Sequence, residues 1–244
     1  MKKKIAVELF IPCFIDQIFP ETGFNMVKVL EKLGCKVHYN PNQTCCGQPA
    51  FNAGYFEQAA AVGSKFLDDM DSGRYIVAPS ASCVGMVRNN YKRLFQDTSN
   101  LVQLRRIQNN IFEFTEFLTN ILNVEKIEGA TLNAHATYHD SCSALRECGI
   151  KEGPRKLLAN VDGLRLTEMK ETDTCCGFGG TFAVKFESIS SAMADQKMCN
   201  ALETEADILI STDSSCLMHL DAYMKKQNKP LKIMHIADVL ASGW

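Results

Sequence analysis

Apolar and polar residues follow the same order of strand and helix patterns twice along the chain. Each half predicts a strand, a helix, a second strand, a longer helix and a short apolar strand. In the first half these segments are 4–11, 22–33, 36–40, 53–70 and 74–78. In the second half they are 131–140, 154–160, 164–169, 189–203 and 207–211. Because strands alternate with helices, we predict an α/β fold made of two similar halves, each with a parallel sheet.

A longer apolar segment separates the two halves. Apolar residues at helical spacing across 108–124 predict one helix, which we expect to pack on the first half. The sequence Glu128-Gly129-Ala130 follows as a turn signal. We therefore predict two domains, residues 1–128 and residues 129–244.

Composition excludes several classes of protein. The chain has 244 residues, 46% of them apolar, which is enough for two cores of the usual domain size. A formal net charge of -2, without long runs of like charge, gives no argument for nucleic acid or an anionic membrane. The basic start at 1–4 imitates a secretory signal, but Glu8, Pro12 and Asp16 interrupt the apolar stretch. No segment approaches the roughly 18 apolar residues that cross a bilayer. We expect a cytoplasmic chain without direct membrane insertion.

The cysteines change this picture. The chain has eleven, and clustered thiols in a reducing compartment indicate metal binding or redox chemistry. Eight keep the same order in both halves, and matched partners lie 129 to 133 residues apart. The pairs are Cys13 with Cys142, Cys45 with Cys175, Cys46 with Cys176, and Cys83 with Cys216. This spacing indicates an internal duplication. The remaining Cys35, Cys148 and Cys199 are expected to be buried or incidental thiols.

Each matched cysteine follows a predicted strand, so four thiols per half should gather at the carboxyl ends of the strands. Gly47 and Gly177 come directly after the paired cysteines. Glycine reaches the backbone conformations of a chain that turns around a bound group, although an ordinary turn would also use it.

Four converging thiolates suit either an iron-sulfur cluster or zinc. Structural zinc sites usually take two ligands from one short knuckle, whereas these cysteines come from three separate loops. Adjacent cysteines such as Cys45 and Cys46 could reach different irons of a cluster. We therefore expect up to two iron-sulfur clusters, with zinc as the alternative. A vicinal dithiol redox pair is a third interpretation, but it leaves two further cysteines per half unexplained.

Both halves resemble the cysteine-rich CCG domain, whose pattern is a cysteine, then Cys-Cys-Gly, then Cys-x-x-Cys. That domain occurs in a subunit of heterodisulfide reductase and in the iron-sulfur subunits of glycolate oxidase and anaerobic glycerol-3-phosphate dehydrogenase. Segments 45–50, 80–83, 175–182, 216–218 and 234–240 more narrowly resemble the lactate utilization protein A family, over essentially the whole chain. The resemblance implies a subunit of a three-protein L-lactate oxidation complex, whose partners are a ferredoxin-type iron-sulfur subunit and a third subunit.

The chain departs from the broader pattern where the last cysteine of each half would stand. Met86 occupies that position in the first half and His219 in the second. Four thiolates suffice for an ordinary four-iron (4Fe-4S) cluster. We expect Met86 to lie in the core. His219 is a candidate fifth metal ligand, with packing or hydrogen bonding as the alternative, so the two sites are expected to differ in stability.

We predict no catalytic residue. His139 and Asp140 should face opposite sides of a strand, and His139 is expected to be a satisfied strand-end histidine. The loop 177–180 does not match the dinucleotide fingerprint. The leading hypothesis is an iron-sulfur electron-transfer subunit. The alternatives are a zinc-binding or metal-free assembly subunit, or a thiol-dependent disulfide reductase.

Overall fold

The computed structural model describes residues 5–96, 100–229 and 231–244. The first half contains a four-stranded sheet in which every paired strand is parallel. Its strands are β1 (Ala6–Leu9), β2 (Lys36–Tyr39), β3 (Tyr75–Ala78) and β4 (Ile111–Glu113), in the order β2-β1-β3-β4. Its helices are α1 (Cys13–Ile18), α2 (Pro20–Lys32), α3 (Gln48–Asn52), α4 (Phe56–Met70), α5 (Ala81–Gly85), α6 (Tyr91–Leu94), α7 (Leu101–Asn110) and α8 (Phe114–Glu116), with π-helical turns at Met86–Asn90 and Phe117–Ile121.

The second half repeats this arrangement. Its strands are β5 (Thr131–Tyr138), β6 (Asp162–Leu166), β7 (Ile208–Ser211) and β8 (Lys232–His235), again all parallel, in the order β6-β5-β7-β8. Its helices are α9 (Glu152–Ala159), α10 (Thr181–Lys185), α11 (Glu187–Leu202), α12 (Ser214–Lys226) and α13 (Ile236–Leu240), with a π-helical turn at Ser143–Glu147. The equal strand order confirms the predicted α/β fold with two similar parallel-sheet halves.

The ten predicted segments correspond to β1, α2, β2, α4 and β3 in the first half and to β5, α9, β6, α11 and β7 in the second, with shifted ends. Residue 4 of the first predicted strand, and the basic start at 1–4, lie outside the described residues. None of the helices that the structure describes is long and apolar enough to cross a membrane.

The single helix predicted across 108–124 is wrong. Helix α7 ends at Asn110, and the next three residues form β4, in which Ile111 pairs with Ile76 of β3. Glu113 then caps α8, since its carboxylate accepts from the backbone N–H groups of Thr115 and Glu116. Pairing with a buried strand therefore overrides the helical spacing of the apolar residues.

The two halves share one hydrophobic core. Helix α2 buries Met26, Val29 and Leu30 at helical spacing, and these residues join a cluster that includes Val239 and Leu240 of α13. Each such buried side chain contributes about 1.5–3 kcal/mol of hydrophobic free energy. The predicted domains 1–128 and 129–244 therefore pack on each other through their apolar faces.

Polar contacts also cross between the halves. Thr22 and Asn25 of α2 each donate a 2.9 Å hydrogen bond to the carboxylate of Asp238 on α13. At the carboxyl ends of the sheets, the backbone N–H of Ser82 donates to the Asp213 carboxylate over 2.9 Å. The first two contacts hold α2 against α13, and the third holds the segment after β3 against the segment after β7.

Candidate metal centre

The eight matched cysteines lie beyond the carboxyl ends of their strands. Cys13 begins α1 after β1, Cys45 and Cys46 lie between β2 and α3, and Cys83 lies in α5 after β3. The corresponding positions in the second half follow β5, β6 and β7, and are occupied by Cys142, Cys175, Cys176 and Cys216. Each parallel sheet thus brings four thiols to the edge formed by the carboxyl ends of its strands.

The first group forms a continuous set of contacts. The Sγ atoms of Cys13 and Cys45 are 4.0 Å apart. Cys45 also contacts Cys46, and Cys46 contacts Cys83. The backbone N–H of Gly47 points at the Cys45 sulfur over 3.4 Å. All four first-half thiols therefore gather at one place, as the spacing predicts.

The second group repeats these contacts. Cys175 contacts both Cys142 and Cys176, and Cys176 contacts Cys216. The backbone N–H of Gly177 lies 3.4 Å from the Cys175 sulfur. The same distance at Gly47 and Gly177 shows that the Cys-Cys-Gly turn has one geometry in both halves.

That turn requires glycine. Gly47 has φ of 79° and Gly177 has φ of 90°, a region that other residues rarely adopt. A Cβ atom at Gly177 would lie 2.6 Å from the carbonyl oxygen of Ser190 on α11. At Gly47 the matching contact, 3.2 Å from the carbonyl of Ala59 on α4, is also tight. Both turns therefore lie tightly against a helix, α4 in the first half and α11 in the second.

The thiols within each group are electrostatically unequal. Hydrogen bonds from Cys13, and then from Cys46, lower the pKa of Cys45 to about 3. The equivalent contacts from Cys142 and Cys176 lower the pKa of Cys175 to about 2. The pKa of Cys13 is raised, chiefly because its proton is held by Cys45. The thiolate form is therefore favoured at Cys45 in the first half and at Cys175 in the second.

Both groups face the same cavity. It has a volume of about 690 Å³ and is lined by all eight matched cysteines. Phe14 and Phe178, one from each half, meet edge to face at its border with ring centroids 5.7 Å apart. The two sets of thiols are therefore neighbours across one space.

Two acidic residues that were not predicted also line this cavity. Asp213 caps α12 and accepts the hydrogen bond from Ser82 described above. Glu147 lies against Gly85 of the other half, and burial raises its pKa despite a hydrogen bond from Ser143. In the sequence, the position of Asp213 two residues after an apolar strand is the signal that could have indicated its place.

His139 is the residue that the sequence interpretation placed wrongly. It is fully buried, and neither ring nitrogen has a hydrogen-bond partner among the described residues, so it is not a satisfied histidine. One ring nitrogen and the sulfurs of Cys176 and Cys216 lie within 4.8 Å of one another. Burial, and then the ammonium of Lys197, lower the pKa of His139 to about 4. The ring is therefore neutral at neutral pH.

His219 has other contacts. Its Nε2 lies 3.2 Å from the hydroxyl of Ser190, and its ring packs against Phe178. Its neighbour Met218 lines the cavity, whereas neither His219 nor His139 is among the described lining residues. Ligation by His219 thus stays a prediction. Met86 is fully buried in the first-half core, as expected.

The three unmatched cysteines have no common position. Cys35 is buried, Cys148 is half-buried and Cys199 is exposed. None of them is among the described residues that line the cavity. Their exclusion from the site is consistent with this placement.

Comparison with known proteins shows which family this chain belongs to. The family model for a cysteine-rich domain, CCG, matches residues 7–88 and 136–221, one segment in each half. Lactate utilization protein A of Bacillus licheniformis is 41% identical over 239 residues, covering 98% of this chain and 100% of that protein. The protein of the same name from Exiguobacterium is 43% identical over 242 residues, covering 97% of each. That from Bacillus subtilis is 41% identical over 239 residues, covering 98% and 100%.

A solved structure shares the fold. The crystal structure of a hypothetical protein from Helicobacter pylori matches with a TM-score of 0.67 at 11% identity. The match covers 99% of this chain and 49% of the Helicobacter chain, so this chain spans about half of that protein. At this identity the likeness supports the fold alone.

Proposed function

Because the chain belongs to the lactate utilization protein A family and carries two cysteine-rich CCG domains, we propose that it is an iron-sulfur electron-transfer subunit of an L-lactate oxidation complex. Its partners are a ferredoxin-type iron-sulfur subunit and a third subunit. The chain itself provides no catalytic residue for lactate.

The observation that carries this proposal is the pair of four-thiol groups facing one cavity. Thiolates are the ligands that iron-sulfur clusters use, and four suffice for a four-iron cluster. Adjacent cysteines in each group suit a cluster with several metal atoms better than one small ion. The donor set therefore fits one cluster per half. The ligands in the first half are Cys13, Cys45, Cys46 and Cys83, and those in the second are Cys142, Cys175, Cys176 and Cys216.

Bound iron-sulfur clusters would supply one-electron transfer, and the chain contributes ligation and control. Cys45 and Cys175 are the thiols that ionise first, so they are the first anionic ligands. The amides of Gly47 and Gly177 donate to those sulfurs, and such hydrogen bonds tune a reduction potential. Two centres that border one cavity form a short path for an electron between the halves.

Metal analysis tests the proposal. Protein purified without oxygen should contain about eight iron and eight acid-labile sulfide per chain, as two four-iron clusters require, with visible absorbance that dithionite bleaches. The Cys199→Ser variant is the matched control because that exposed thiol is outside the cavity, and it should keep the full iron content.

Three outcomes would contradict the proposal. Zinc at full occupancy without visible absorbance would indicate the zinc-binding assembly subunit. A chain without metal that still supports assembly would indicate a metal-free one. Metal-free protein with an alkylation-sensitive thiol and disulfide reductase activity would indicate the thiol-dependent enzyme.

A further inference from the structure

The residue three positions before the first matched cysteine differs between the halves. In the first half it is Phe10, which is fully buried and meets Phe66 of α4 edge to face, with ring centroids 4.8 Å apart. In the second half it is His139. Thiols of the first group therefore lie in one apolar cluster with Phe10 and Phe66, whereas thiols of the second lie beside the imidazole of His139.

The helix residue beside this position also differs between the two halves. Phe66 lies seven residues after Ala59, whose carbonyl lies against Gly47. Lys197 lies seven residues after Ser190, whose carbonyl lies against Gly177. Lys197 is thus the second-half counterpart of Phe66.

The buried ammonium of Lys197 has its own partners. Its Nζ donates to the backbone carbonyls of Glu171 at 2.5 Å and Thr172 at 3.1 Å. The Thr172 carbonyl lies near the His139 ring but does not accept a hydrogen bond from it in good geometry. The lysine is therefore satisfied, while the adjacent histidine is left without a partner among the described residues.

A buried polar group without a partner destabilises the fold. Among the described residues, the feature beside His139 that would offset this cost is the thiol group, since a ring nitrogen lies within 4.8 Å of the sulfurs of Cys176 and Cys216. Neutral imidazole is a good ligand for iron and zinc.

We propose that His139 is a nitrogen ligand of the metal centre in the second half, together with Cys176 and Cys216, and that the first half has no equivalent ligand. This inference rests on the proposed iron-sulfur function. It makes the two centres chemically different, one held by thiolates alone and the other by thiolates and one imidazole.

Nitrogen hyperfine spectroscopy (HYSCORE) on dithionite-reduced protein tests this ligation. In a Cys45→Ser background, where the second centre remains, we expect a strong histidine-nitrogen coupling that changes on ¹⁵N-histidine labelling. The labelling experiment keeps His139 in place, so it does not depend on how well a variant folds. The coupling should be lost in His139→Phe, which installs the first-half residue.

Matched controls separate the outcomes. The Cys175→Ser protein, which keeps the first centre, should show no strong histidine coupling, because Phe10 stands there. The His219→Ala variant should keep the coupling of the second centre. Iron without a strong histidine coupling, or a coupling lost in His219→Ala but kept in His139→Phe, would overturn the assignment of His139 alone. Absence of iron from both halves would overturn the proposed function and this inference with it.

Discussion

The two halves hold their thiols in the same way and surround them differently. The turn after the paired cysteines donates a 3.4 Å hydrogen bond to sulfur in both halves. Behind the thiols, the first half has the aromatic pair Phe10 and Phe66, whereas the second has His139 and Lys197. The duplicated thiol frame is thus kept while the layer behind it has diverged.

A second matched pair shows how the fold tolerates such divergence. Glu113 pairs with Ala78 of β3, and His235 pairs with the corresponding Ser211 of β7. Each caps the helix that follows, Glu113 through its carboxylate and His235 through Nδ1, which accepts from the N–H of Ala237. Both are buried and each keeps one atom without a partner in the described structure. Both halves therefore place a side-chain acceptor at this helix cap, a carboxylate in the first half and an imidazole in the second.

The largest effect should come from separating the halves. Because α2 of the first half and α13 of the second bury their apolar faces in one core, residues 129–244 alone should not fold cooperatively. Circular dichroism during urea titration should give a broad, weak transition. Co-expression of residues 1–128 with residues 129–244 should restore a sharp one. A sharp transition for either piece alone would mean that the shared core is dispensable.

Removing one thiolate per half is the next test. The Cys45→Ser and Cys175→Ser proteins should each lose about half of the iron, since each change removes a ligand from one of two four-iron clusters. Iron and sulfide are measured against intact protein, with Cys35→Ser as the control outside the cavity. If neither change lowers the iron content, the two-centre hypothesis fails. Full iron loss from one change alone would mean a single centre.

Much of the fold follows from sequence because it depends on local patterns. The repeated spacing of the cysteines and the alternation of strands with helices predict two similar sheets and the edge where the thiols gather. The strand β4 was missed because its three residues, Ile111–Glu113, continue the apolar spacing of the adjacent helices. Only pairing with β3 identifies it as a strand, and that contact is not encoded locally.

The sequence predicts the thiols of the candidate site, but it does not predict the residues behind them, His139 and Lys197. The eight cysteines carry a repeated spacing, but His139 has no motif that separates a ligand from a satisfied strand end. Its burial beside Cys176 and the occupied donors of Lys197 are tertiary facts. When the two halves are aligned, His139 occupies the position of Phe10. This difference is the signal that could have drawn attention to His139.

The two buried caps should give stability opposite responses to pH. Burial raises the pKa of Glu113 to about 8, so the folded state binds its proton more tightly and the contribution of Glu113 to stability falls as pH rises from 4.5 toward 8. Burial lowers the pKa of His235 below 6.5, so stability falls as pH drops below that value. Each of these two groups can change the free energy of unfolding by at most about 1.4 kcal/mol per pH unit.

Variants that keep a side-chain acceptor at each cap should separate these two contributions. Glu113→Gln, which keeps the capping acceptor, should flatten the fall above pH 4.5 and leave the acid side unchanged. His235→Asn should make the acid side less steep and leave the part of that slope that comes from His139. Urea unfolding of reduced, metal-free protein at intervals from pH 5 to pH 9 is measured for each variant and for the unchanged protein, and the difference between the two profiles gives the contribution of the cap, because the thiols and His139 contribute equally to both. A loss of stability on the same side of the pH range in both variants would contradict the assignment.

The smallest expected effect concerns the polar contact between the halves. Asp238 accepts hydrogen bonds from Thr22 and Asn25, and Thr22 is buried, so Asp238→Ala leaves that hydroxyl without its partner. We expect a loss of about 1–3 kcal/mol in the free energy of unfolding. Thr22→Val removes the other end of the contact, and the double variant should lose less than the sum of the two single changes. Additive losses in that cycle would mean that the Thr22–Asp238 hydrogen bond does not stabilise the docking of the two halves. The docking would then depend on the apolar faces of α2 and α13 and on other contacts between the halves, such as that of Ser82 with Asp213.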